Sequence, residues 1–142
     1  MTVTFFGHRK LQTNVDDRLH SVLVDLIENC GADTFYVGNH GEFDSAVAHE
    51  LQKLEKEYPH IKYFVVLAYL PSEKKEYTDY SHTIYPEGLE KCLPRFAISK
   101  RNEWMVKQSD TVVTYVTHTW GGAYKFKTLA KNKKKRVIEI SE

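Results

Sequence analysis

The chain has 142 residues, with 20 Lys and Arg against 19 Asp and Glu, a formal net charge of +1. That length fits one domain spanning 1–142, at about 100–200 residues per domain, and leaves no room for a separate catalytic module. Its 42% hydrophobic and 27% charged residues argue against wholesale disorder, and the missing positive excess argues against a dedicated duplex-DNA binder, whose affinity comes mostly from phosphate neutralisation.

Thr2 to Phe6 is a β-branched and aromatic run ending at Gly7, a strand followed by a turn. Val15, Leu19, Val22, Leu23, Leu26 and Ile27 recur at three- and four-residue spacing, which predicts an amphipathic helix closed by Gly31. Thr34 to Val37 is a second strand running into Gly38-Asn39-His40-Gly41, and Phe43, Ala46, Val47, Leu51 and Leu54 mark a second helix ending near Pro59. Ile61 to Leu70 is the third strand, apolar at nearly every position, as expected where helices cover both faces of a parallel sheet. Its uninterrupted apolar stretch, Tyr63 to Leu70, is far short of the about 20 residues that cross a bilayer, so no membrane partner is expected.

Pro71 to Pro86 is polar, Tyr-rich and without period, and reads as a long loop. A third helix follows from about Phe96 to Gln108, a fourth strand over Thr111–Val116, a fourth helix from near Gly121 to about Asn132, and a fifth strand over Arg136–Ile140. This alternation predicts a single Rossmann-like α/β domain of three layers, with a parallel five-stranded sheet in the order 3-2-1-4-5. Cys30 and Cys92 have no neighbours at metal-ligand spacing and read as small buried apolar residues. No metal site and no cofactor is expected. The first nine residues lack the apolar stretch and cleavage site of a leader, so the expected location is cytoplasmic.

Ligands of such sheets bind beyond the carboxyl ends of the strands, where the strand order reverses, here between strands one and four. Three loops reach that point. Gly7-His8-Arg9 offers a turn, a proton-transfer group and a planar fork for phosphate or carboxylate, or else two solvated side chains on a plain turn. Gly38-Asn39-His40-Gly41 runs into a helix whose first turn holds Asp44, a carboxylate that either complements the helix dipole or meets a ribose diol or acts as a base. Thr117-His118-Thr119-Trp120-Gly121-Gly122 opens the last helix with two glycines suited to cradle a phosphate, with Lys125 and Lys127 behind it.

On the third helix Ile98, Arg101 and Met105 fall on one face, so Arg101 lies on the apolar stripe. A guanidinium turned inward requires a partner, either a protein carboxylate or an anionic ligand. Asn102 beside it is suited to read a base or sugar. Tyr77, Tyr80, His82 and Tyr85 in the long loop are suited either to stack on a nucleobase or to form a subunit contact. The run Lys131 to Arg136 fits a helix C-terminus and an edge strand.

Taken in order, Gly7-His8-Arg9, the glycine loop ending in Asp44, Arg101-Asn102-Glu103-Trp104-Met105-Val106 with Ser109-Asp110, and Gly121-Gly122 resemble the SLOG superfamily, and within it the YpsA-like branch, over nearly the whole chain. The resemblance implies a Rossmann-like pocket for a nucleotide-type small molecule and a homo-oligomer, since LOG-type relatives are commonly dimers. In the LOG-type nucleoside-monophosphate phosphoribohydrolases a catalytic arginine precedes strand four, and Arg101 matches it. Those hydrolases also carry Pro-Gly-Gly-x-Gly-Thr-x-x-Glu after strand four. Here the stretch is Trp120-Gly121-Gly122-Ala123-Tyr124-Lys125-Phe126-Lys127-Thr128, so the glycine pair is kept and Thr128 replaces the glutamate.

The leading expectation is therefore a binding protein for a nucleotide or an ADP-ribose-like derivative. Its ligand would meet Gly7, His8, Arg9, Gly38, Asn39, Gly41, Asp44, Arg101, Asn102, Thr117, Gly121 and Gly122. The alternative is an N-glycosidic hydrolase in which Arg101 holds the phosphate and Asp44 or Glu103 supplies the carboxylate. Single-stranded nucleic acid, as in the DNA-processing relatives, is a less favoured partner.

Overall fold

A computed structural model describes residues 1–70 and 82–141. In chain order the elements are β1 (Thr2–Gly7), α1 (Asp16–Cys30), β2 (Thr34–Val37), α2 (Glu42–Glu57), β3 (Lys62–Val66), β4 (Thr83–Ile84), α3 (Ala97–Gln108), β5 (Thr111–Tyr115), α4 (Gly122–Asn132) and β6 (Arg136–Glu139), with 3-10 turns at Leu89–Lys91 and Pro94–Phe96 before α3. Gly31 stops α1 in the left-handed conformation (φ 75°), where its amide bonds the Leu26 carbonyl.

Among the described residues the sheet holds six parallel strands in the order β4-β3-β2-β1-β5-β6. The expected order is present as β3-β2-β1-β5-β6, but the count of five is corrected to six. The added strand pairs Val65 with Thr83 and Val66 with Ile84. Its two residues are too few to carry a period, and it is held by backbone bonds from Val65 N to His82 O (2.6 Å) and from Leu67 N to Ile84 O (2.8 Å). The third strand is also shorter than expected. It ends at Val66, and Tyr69 and Leu70 beyond it are exposed. Only one of its residues is fully buried, because it lies next to the sheet edge rather than at the centre.

Two cores flank the sheet. Val3, Phe5, Phe35, Val37, Val113 and Tyr115 pack with Leu19, Leu23, Leu26, Phe43, Val47 and Leu51 of α1 and α2 on one face. Phe6, Val66 and Val112 pack with Met105 and Val106 of α3 and Phe126 and Ala130 of α4 on the other. The alternation of Phe5 and Phe6 between the two cores is the pleat of β1. Cys30 and Cys92 are free and half-buried rather than fully buried. Among the described residues no helix is long and apolar enough to cross a membrane.

The chain winds from β1 to β3 in one direction and returns through α3 to lay β5 on the other side of β1. The carboxyl ends of β1 and β5 thus diverge into loops leading to opposite faces, and Gly7 pairs with Tyr115 at that fork. Gly7 serves packing as much as turning: a Cβ here would overlap the Phe43 ring. Gly7→Ala is expected to lower stability by about 1–3 kcal/mol through overpacking, read as a lower urea midpoint at unchanged slope.

Candidate functional site

The fork opens into a cavity of about 730 Å³, within the size range of small-molecule sites. Gly7, His8 and Arg9 border it from the β1 loop, Gly38 and Asp44 from the β2–α2 connection, and Thr117, Gly121 and Gly122 from the β5–α4 loop. Arg101 and Asn102 line it from α3, beside Ile98 and Met105. Ten of the twelve expected ligand-binding residues are thus on one cavity. Asn39 and Gly41 are not on its lining and support it from behind.

Arg101 is the centre of that support. Its side chain is buried (3% exposed) although α3 is a surface helix. Nε donates to Asn102 Oδ1 (2.9 Å), and Nη1 donates to Asn39 Oδ1 (3.0 Å) and to the Val66 carbonyl (3.1 Å). His40 Nδ1 lies 3.4 Å from Nη1. All of these partners are uncharged oxygens or an imidazole. Among the described residues Arg101 makes no direct ion pair with a carboxylate, and Asp44, across Gly38, is the protein carboxylate that acts on it electrostatically. Burial lowers its pKa and nearby Asp44 raises it.

Asp44 is the acid on the cavity lining. Its Oδ2 accepts from the His40 amide at 3.0 Å. Burial pushes its carboxyl up from 3.8 to about 6, against the opposing pull of that amide and of Arg101. Gly38 fits between the two charged groups: a Cβ there would come within 2.8 Å of Asp44 Oδ2 and 3.3 Å of Arg101 Cζ. Gly41 caps α2 at φ 106°, where a Cβ would lie 2.6 Å from Arg9 Cα. The N-terminus of α2 is not an open anion cradle. Its Glu42 amide donates to the Arg9 carbonyl (2.7 Å), while the Glu42 side chain accepts from the Leu11 amide (2.7 Å).

The start of α4 differs. Among the described residues, the amides of Gly121, Gly122 and Ala123 donate to no protein acceptor. Of the two lysines behind it, Lys127 is engaged by Glu139 at 2.7 Å, and Lys125 lies over the Phe126 ring. Glu139, on the edge strand β6, also accepts from Thr114 Oγ1 (2.6 Å), the Val116 amide (2.9 Å) and the Ser141 amide (3.0 Å). These donors hold its pKa below the ordinary value against the upward push of burial. Glu139 fixes the point at which the chain leaves β5 for the cavity.

Glu103 does not join the site. It is exposed on α3 and pairs with Lys100 at 3.5 Å. The loop aromatics are also not part of the described cavity. Tyr77 and Tyr80 lie outside the described residues, His82 stacks on Tyr63 (4.8 Å) at the β3–β4 edge, and Tyr85 is half-buried away from the lining. Rings that are not among the expected contacts stand on the cavity instead: His40, His118 and Trp120. The signal for the last two is Thr117-His118-Thr119-Trp120, where aromatics alternate with threonines directly before the glycine pair.

His8 Nε2 accepts from the Thr117 amide at 2.8 Å, which ties the β1 and β5 loops together. Burial, and then the neighbouring His118, lower the His8 pKa. Burial, and then Arg101 and Arg9, lower that of His40. With the His8 and His40 imidazoles biased to the neutral form, Arg9, Lys10 and Arg101 outnumber Asp44 on the lining, an excess that favours an anion.

A parallel sheet sandwiched by helices, with a cavity at the reversal of strand order, defines a Rossmann-like α/β protein. No protein-family model and no curated protein matches the chain. Among solved structures it is similar to DNA processing protein A from Helicobacter pylori, whose single-stranded DNA binding mode that structure describes. The TM-score is 0.61 at 15% identity, over 98% of this chain and 64% of the other. At that identity the likeness is one of fold, and the chain spans less than two thirds of the length of its neighbour.

Proposed function

We propose that this chain binds a nucleotide or an ADP-ribose-like nucleotide derivative in the cavity between β1 and β5. The observation that carries this reading is Arg101, a buried guanidinium on the cavity lining that is hydrogen-bonded to neutral acceptors, with Asp44 across Gly38 but not ion-paired to it. A buried cation held this way is completed by an anion that arrives with the ligand. The open amides of Gly121 and Gly122 supply a second contact to phosphate. Asp44, with its oxygens beside Gly38, is the acceptor for a ribose diol.

Hydrolysis of the N-glycosidic bond is the weaker variant of the same reading. Thr128 stands where the hydrolases carry glutamate, and Glu103 points to solvent, so Asp44 alone remains to serve the reacting carbon. A second reading, single-stranded nucleic acid, is favoured by the fold likeness to DNA processing protein A.

Calorimetric titration of AMP, ADP, ADP-ribose and a short oligo-dT strand, at about 50 and about 200 mM salt, separates these readings. The expected result is saturable binding of at least one of the three nucleotides, with no free base released. Binding of the strand alone, with affinity falling steeply as salt rises, would replace the first reading by the second. Base release that Asp44→Asn abolishes would turn the binding protein into an enzyme.

A further inference from the structure

Three rings leave the cavity as a ladder. His8 stacks on His118 with centroids 3.8 Å apart and planes 15° apart, and His118 stacks on Trp120 at 3.7 Å and 15°. The inner end is fixed by the bond from the Thr117 amide to His8 Nε2. The middle ring is held by its two neighbours rather than by polar contacts, since His118 Nδ1 is buried with no hydrogen-bond partner. The outer ring, Trp120, is 68% exposed. Among the described residues no second ring and no cation lies on it. It also immediately precedes Gly121, where φ is 90° and the chain turns into α4.

An indole is costly to leave in water, and a surface indole is ordinarily free to fold down. Here one face is already occupied by a fixed imidazole. The other carries no ring or cation among the described residues, and the chain runs from Trp120 directly into Gly121 and Gly122, whose amides are open. A planar heteroaromatic ring matches that face, since every nucleobase has a π-face that stacks on an aromatic side chain. The adjoining amides match the phosphate that a nucleotide carries within a few bonds of its base.

We propose that the free face of Trp120 is the nucleobase platform of this protein, the base extending the His8–His118–Trp120 ladder by one more layer. The proposal rests on the nucleotide reading of the cavity and adds what the ligand must contain: an aromatic base, not a sugar phosphate alone. A mononucleotide and a nucleotide within a strand present the same ring.

The test uses AMP, ribose 5-phosphate and a short oligo-dT strand against the wild-type chain, Trp120→Ala, and Trp104→Phe. In the last of these Trp120 is the remaining tryptophan of the two in the chain, so its emission reports stacking directly. AMP is expected to quench that emission, and Trp120→Ala is expected to weaken AMP at least about ten-fold while leaving ribose 5-phosphate unchanged. Equal AMP affinity in wild type and Trp120→Ala overturns the platform and leaves the anion cavity standing. So does ribose 5-phosphate binding wild type as tightly as AMP. Quenching and Trp120-dependent binding by the strand alone keep the platform and assign its base to single-stranded nucleic acid. No binding of any probe to wild type removes both the platform and the nucleotide reading. Because Trp120 is exposed, its alanine variant keeps the fold, and calorimetry on that variant decides the matter even where Trp104→Phe expresses poorly.

Discussion

Asp44→Asn is expected to make the unliganded protein more stable at pH 8 and a poorer binder of nucleotide. The carboxyl of Asp44 is pushed up from 3.8 to about 6 by burial. The native state therefore holds its proton more tightly than the unfolded chain does. A raised carboxyl contributes stability that is fully present below about pH 4 and is lost as the pH climbs through about 6. A rise of that size is equivalent to about 3 kcal/mol. Asparagine keeps the shape and the acceptor for the His40 amide without the charge. At pH 8 its melting temperature should exceed that of wild type by roughly 5–10 °C, and the two curves should converge near pH 4. A variant no more stable than wild type at pH 8 would mean that the carboxylate is already compensated by its surroundings. In the liganded state the order reverses. A carboxylate receiving ribose hydroxyls makes charge-assisted bonds, and their loss should weaken ADP-ribose by about ten-fold or more. Stability gained together with affinity lost marks a residue kept for binding rather than for folding.

Arg101→Ala carries the second large effect, and here both quantities fall. The substitution leaves the Val66 carbonyl and Asn39 Oδ1 without the donor that Nη1 supplies, and it empties the space between α3 and the sheet. It also removes the cation that pulls the Asp44 pKa down, so the Asp44 carboxyl should titrate still higher. The expected loss is about 2–4 kcal/mol of stability and at least about a hundred-fold in nucleotide affinity. Arg101→Lys retains the charge without the planar fork and should fall between wild type and alanine in binding. Because Arg101 and Asp44 flank the same glycine, Asp44→Asn combined with Arg101→Ala should cost less than the sum of the separate effects. Nucleotide affinity unaltered in folded Arg101→Ala, measured well below its melting temperature, would remove Arg101 from the site.

Much of this arrangement is legible in the sequence because helical spacing alternates with short β-branched and aromatic runs. The spacing of Leu19, Leu23 and Leu26, set against the runs that form β1 and β5, fixes the order of helices and strands, and with it the fork where ligands of such sheets bind. Arg101 betrays itself by interrupting an apolar stripe. The same helical arithmetic separates it from Glu103, since two residues at about 100° each turn the side chain to the far side of the helix. That geometry excludes Glu103 from a cavity that Arg101 enters. β4 is hidden because two residues have no period, and its bonds belong to the backbone. The second duty of Gly7 depends on Phe43, distant in sequence, which no local pattern reveals. Composition points to the Tyr-rich loop for an aromatic platform because abundance is what composition registers. The ladder of His8, His118 and Trp120 is instead assembled from two loops separated by more than a hundred residues.

Glu139 gives the cleft an unexpected dependence. The outermost strand of a sheet is usually its most dispensable member, the first to fray and the easiest to trim. Here a single carboxylate on that rim grips Thr114, Val116 and Lys127, so the exit of the chain toward His118 and Trp120 is tethered to the periphery. Whatever loosens that rim loosens the recognition surface with it.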